Sequence, residues 1–110
     1  MARRAEKTSQ PPDSQRQDVK DLPRAGSSAL DRLEGLLAAL RATKGLRETS
    51  RGRFYRRGRT FLHFHEQGED LFADVRWTGL GWTFERTRVS TQAERDALLD
   101  RVRVSLAKPG

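Results

Sequence analysis

Hydrophobic and polar side chains alternate along RTFLHFHEQGEDLFADVR, residues 59–76. A strand sends neighbouring side chains to opposite faces, so this period of two puts Leu62 and Phe64 on one face and Phe61, His63 and His65 on the other. Residues 67–70 carry Gly68 among polar neighbours, which is turn chemistry, and alternation resumes at Leu71. The pattern predicts a hairpin pairing Glu66 with Leu71, Phe64 with Ala73, Leu62 with Val75, His65 with Phe72, His63 with Asp74 and Phe61 with Arg76. A second turn at residues 78–81 would set Trp77 against Trp82, Val75 against Phe84 and Asp74 against Glu85, with both tryptophans on the Leu62 side. A slip of one residue would turn the histidines inward and the leucines outward, so burial of the apolar side should enforce the register.

The period changes on either side of these strands. Leu30, Leu33, Leu37 and Leu40 recur every three or four positions, which predicts an amphipathic helix over residues 29–43, opened by a Ser28 and Asp31 capping box and closed by Lys44 and Gly45. Gly35 weakens that helix, and close packing on another element is the expected compensation. Downstream, Thr91 and Glu94 form another capping box ahead of a stripe made by Ala97, Leu98, Leu99, Val102 and Leu106, with Pro109 beyond its end. Between the first helix and the hairpin, a strand containing Phe54 and Tyr55 leads into a turn at Gly58, and either aromatic could face the core. Two helices with one apolar stripe each and a sheet with one apolar face pack together in one economical way. The predicted fold is α+β: helix, four-stranded antiparallel meander, helix, with both helices on one face.

Composition adds boundaries. Residues 1–27 are polar, contain Pro11 and Pro12 and lack apolar periodicity, which predicts a disordered tail ahead of one domain spanning residues 28–108. The chain has no cysteine, so disulfides and thiolate metal sites are excluded. No apolar run reaches the length of a membrane span and no signal core follows Arg3 and Arg4, so a cytoplasmic protein without a membrane partner is expected. The net charge is +7, and 18 of the 22 basic residues are arginine, a bias that base composition of the genome also produces. Arg51, Arg53, Arg56, Arg57 and Arg59 crowd the first strand and its turn around Tyr55, which suits phosphate contacts and base stacking and makes nucleic acid an alternative partner.

The candidate chemistry lies on the face that the helices leave open. Phe61, His63, His65, Asp74 and Arg76 gather there as a face for a protein or small-molecule ligand. Two imidazoles at i and i+2 can converge on one ion, so His63, His65 and Asp74, with Glu85 behind them, are candidate ligands for a divalent metal such as zinc or iron. A hydrogen bond between His63 and Asp74 is the plainer alternative. No phosphate loop, nucleophile elbow or zinc-protease helix motif is present.

Arg59, Phe61, His63, Phe64 and His65, followed by Leu71 and the strand to Arg76 and then by Gly81 and Trp82 before a closing helix, resemble the small bacterial and fungal "luciferase domain" family over residues 46–106. That family is similar in carrying an R-x-F-x-H-x-H run after a glycine turn. The resemblance implies a shared fold; the family's name does not imply light emission, and no biochemical role comes with it. The expected function is a binding or accessory module using the sheet face around His63, His65 and Asp74. Nucleic-acid binding through residues 47–59 and a metal-dependent enzyme at the histidine pair are the alternatives.

Overall fold

A computed structural model describes residues 22–77 and 83–107. The tail through residue 21, the turn at residues 78–81, Trp82 and Pro109 lie outside the described residues. The chain is α+β, in the order α1 (Ser27–Arg32), α2 (Glu34–Arg41), β1 (Arg47–Ser50), β2 (Arg53–Arg56), β3 (Arg59–Gln67), β4 (Asp70–Val75), β5 (Glu85–Arg88) and α3 (Gln92–Ala107). The five strands form one antiparallel sheet in sequence order. One more strand is present than alternation predicts, because the segment ahead of Gly58 is itself a hairpin that turns back at Arg51 and Gly52.

The β3 and β4 pairing matches the predicted register residue for residue, from Leu62 opposite Val75 to Glu66 opposite Leu71. Leu62, Phe64, Leu71, Ala73 and Val75 are buried and form one core with Leu30, Leu33, Leu37 and Leu40 from the first helices and Leu98 and Val102 from α3. Burial of the apolar side therefore sets the register, as the slip argument requires. Phe54 is fully buried and Tyr55 half-exposed, which settles the orientation of β2.

Five local expectations are corrected. The first helix breaks at Leu33 (φ −95°, ψ 4°) instead of running unbroken, and a side chain at Gly35 would meet nothing within 4 Å, so no close packing offsets that glycine. No side chain caps α1; Gly26 stands at its N-cap, and its N–H donates to Glu66 Oε2 at 2.6 Å from across the fold. The Thr91 and Glu94 box, in contrast, forms in both directions, at 2.9 and 3.1 Å. Next, β5 is displaced by one residue: Val75 faces Glu85 and Asp74 faces Arg86. The predicted register would have set the carboxylates of Asp74 and Glu85 opposite each other, and like charges so placed repel. The observed register instead gives Asp74 an arginine and turns Glu85 to Arg101 of α3, at 2.8 and 3.0 Å. Finally, Phe61 leaves the polar face. A bulge on β3 sets Tyr55 opposite Thr60 and Phe54 opposite Leu62, so Phe61 has no partner on β2 and is re-aimed. It is buried, edge-on to Trp77 at 6.1 Å.

Residues 22–26, assigned to the tail by their composition, belong to the sheet. β2 pairs with β3 only as far as Leu62, which would leave the remaining outer edge of β3 with unpaired backbone groups. The chain entering α1 fills that edge. Ala25 N–H donates to Phe64 C=O and Glu66 N–H donates to Pro23 C=O, both at 3.1 Å, and Arg24 bridges to His65.

Gly52 fixes the turn between β1 and β2. Its φ is +81°, and a Cβ there would come within 2.7 Å of Leu30 Cδ2. Gly52→Ala should destabilise the protein by about 2–4 kcal/mol, from the left-handed backbone and overpacking together. Gly58→Ala, at φ +78° in open space, should cost about 1–2 kcal/mol. Urea unfolding of the two variants checks the difference, and equal losses would show that Leu30 does not press on Gly52.

Candidate functional site

Alternation and register together place His63, His65 and Asp74 on the face away from the helices. His65 Nε2 lies 2.9 Å from His63 Nδ1 and 3.2 Å from Asp74 Oδ2, and the two rings meet edge-on with centroids 4.8 Å apart. One donor atom from each residue falls within 4.8 Å of the others. Arg86 grips the Asp74 carboxylate at both oxygens, from Nε at 2.8 Å and Nη2 at 3.0 Å.

This face is closed, contrary to expectation. His65 is 8 % exposed, Asp74 2 % and Arg76 6 %, and only His63 is half-exposed. The 22–26 strap lies beside His65, whose Nδ1 is 3.0 Å from Leu22 C=O and 3.2 Å from Pro23 C=O. The one-residue shift of β5 brings Phe84 across as well. Its ring centroid is 4.9 Å from that of His63, and the Arg76 guanidinium lies 5.2 Å from its centre.

The other candidate residues separate from this cluster. Arg76 donates to Thr60 C=O and stacks on Phe84, so it braces the sheet beside the site and offers no open surface. Phe61 is core, and Glu85 is held by Arg101. Of the arginines assigned to nucleic acid, Arg51 is tied to Asp31 and Glu34 at 2.9 Å each. Arg53 lies 5.9 Å from the centre of the Tyr55 ring, and Arg56 5.8 Å from that of Phe61. Arg57 occupies the β2 to β3 turn, and Arg59 is the cross-strand partner of Arg56.

Three participants were missed by sequence reasoning: Arg86, Leu22 and Pro23. Arg86 was hidden by the misplaced register, although the face-to-face carboxylates which that register implied were a warning. The carbonyls of Leu22 and Pro23 left no signal, since every residue carries one.

Charge follows from these contacts. Burial first, and the neighbouring His65 second, push His63 down to about 4, against the pull of Asp74; Arg24 and Arg53 add to the depression. For Asp74 burial works against ionisation, but the hydrogen bonds from His65 and Arg86 outweigh it and hold the carboxyl below its ordinary value. Asp74 is therefore ionised and His63 neutral near pH 7.

Comparison with protein-family models, curated proteins and solved structures gives no match. Among the described residues, no helix is long and apolar enough to cross a membrane.

Two outcomes follow. Arg86→Ala strands a buried carboxylate that keeps one partner, His65, and should cost about 3 kcal/mol, lowering Tm by roughly 12–24 °C in a thermal melt. An unchanged Tm would show that Asp74 does not rely on Arg86. His63 stays neutral to about pH 4 when folded but takes a proton near its ordinary 6.5 when unfolded. Between those values the unfolded chain binds more protons, so stability falls as pH drops from 6.5 towards 4. Asp74 adds its own loss only as pH falls below its ordinary value of 3.8. Melts at pH 7, 6 and 5 should show the decline in the wild type and a shallower one in His63→Gln; equal slopes would remove His63 as the cause.

Proposed function

We propose that the protein is a metal-binding module holding a divalent transition-metal ion, zinc or a similar borderline ion, through His63, His65 and Asp74. The observation that carries this reading is the distribution of lone pairs. His65 Nδ1 faces two carbonyl oxygens, so it bears a proton and donates to them. Its Nε2 faces His63 Nδ1 and the Asp74 carboxylate, giving the carboxylate a hydrogen bond when it too carries a proton and turning a lone pair on both when that proton leaves. Three electron-rich atoms facing one another call for a positive charge between them, either a proton or a metal ion.

The donor set fits an ion. Two imidazole nitrogens and a carboxylate suit zinc and its neighbours, and bonds of 2.0–2.1 Å put tetrahedral ligand atoms about 3.3 Å apart. The separations of 2.9 and 3.2 Å need only a small expansion to match, and the third pair, His63 with Asp74, lies within 4.8 Å. Main-chain carbonyls on His65 Nδ1 and an arginine on the carboxylate are the outer contacts that orient metal ligands. The half-exposed side of His63 leaves room for an outside ligand. Binding through a broad open sheet face is not favoured, because the strap and Phe84 cover it.

Tag-free protein, stripped with a chelator and titrated with Zn2+ in a calorimeter, should take up one ion per chain. At a free concentration of 100 times Kd the ion should raise stability by about 2.7 kcal/mol, seen as a higher Tm that chelator reverses. His63→Ala should weaken binding at least tenfold while leaving the strap and Arg86 in place. Neither heat nor a Tm shift at millimolar zinc would show that the three groups hold a proton and nothing more.

A further inference from the structure

We infer that the side of β1 and β2 away from the helices, with the turn at Arg57, is a binding surface for single-stranded nucleic acid. Phe54 points into the core, so Arg53 and Tyr55 point the other way, and Arg47 stands directly across from Tyr55 on the same side. From residue 52 to residue 65 the chain has no acidic residue. The ion pairs of the fold are made elsewhere. Arg41, Arg51, Arg86, Arg88 and Arg101 each meet a carboxylate, whereas no carboxylate among the described residues pairs with Arg47, Arg53 or Arg57. This strip thus carries cationic groups that no carboxylate of the described residues neutralises.

Three further observations point to a ligand and not to plain solvation. Arg53 Nε is buried without a hydrogen-bond partner, although Nη2 of the same group reaches Thr60 Oγ1 at 3.4 Å. The half-buried Arg53 thus has donor capacity that the fold leaves unused, beside a half-exposed aromatic. Arg57 holds φ +55° ahead of Gly58 at +78°, the backbone of a type I′ turn, where asparagine or glycine is the economical residue. A positive charge is kept at the tip at a conformational cost. Tyr55 offers a half-exposed ring flanked by Arg53 and Arg47, and a base stacks on such a ring whatever its sequence. A flat strand surface with one stacking aromatic suits splayed single-strand bases; it presents no helix to fill the major groove of a duplex.

Fluorescence anisotropy with a labelled 12-residue oligothymidylate, the full chain and chelator throughout tests this independently of any metal. Three arginine contacts give a salt slope of about −2.1, so affinity should fall roughly twenty-fold between 50 and 200 mM salt. Arg57→Asn should weaken binding and flatten the slope by about 0.7 without lowering Tm, since asparagine tolerates the turn. Tyr55→Ser should weaken oligothymidylate at least five-fold and leave binding of dextran sulfate unchanged. The inference fails if no complex forms at 50 mM salt. It fails equally if Tyr55→Ser leaves oligothymidylate affinity intact, or if dextran sulfate or anionic vesicles bind as tightly as the oligonucleotide, because the strip would then be a general surface for polyanions.

Discussion

A carboxylate almost wholly withdrawn from water governs this structure. Removing an ionised Asp74 from solvent costs several kcal/mol unless its oxygens are met by cations or donors. Arg86 meets both oxygens from β5, and His65 meets one from β3. Strands β3, β4 and β5 are therefore held in register twice. Leucine, phenylalanine and valine on the helix side resist a slip because it would expose them, and Asp74 on the other side resists it because it would lose its partners. The second constraint selects the β5 register, where the apolar pattern alone pointed one residue away.

The same demand draws the beginning of the domain into place. With His65 turned towards Asp74, its other nitrogen needs an acceptor, and β3 has an unfilled edge beside it. Residues 22–26 answer both needs, giving two carbonyls to the ring and completing the ladder before Gly26 begins α1. Glu66, next to His65, fastens that entry by accepting from Gly26 N–H. One short stretch of β3 thereby couples sheet register, helix entry and the cluster of donor atoms.

Much of the fold was legible in the sequence because one face is greasy and the other is not. Leu62 and Phe64 against His63 and His65 fix the faces, and Asp74 opposite His63 follows by counting through Gly68. Helix positions followed from leucine spacing, although the break at Leu33 did not, since the leucines stay in phase across it. The β5 register was not legible from apolar spacing, because Phe84 and Val89 frame a stretch of charged and polar residues that either phase could place. The covering of the histidines was also hidden: it is made by backbone carbonyls in a segment whose composition reads as tail. The candidate site was thus visible in its ligands and invisible in its lid, which is what turned an expected open face into an enclosed centre.

Nitrogen-15 NMR of the imidazole rings in metal-free protein at pH 7 tests this closure most directly. His65 Nδ1 should carry a proton that exchanges slowly with water, with a hydrogen-bond coupling to the Leu22 or Pro23 carbonyl. A His65 ring whose Nδ1 bears no proton, or whose Nδ1 proton exchanges as fast as that of a solvent-exposed histidine, would contradict it: the strap would not be seated, and the enclosed donor cluster would not exist.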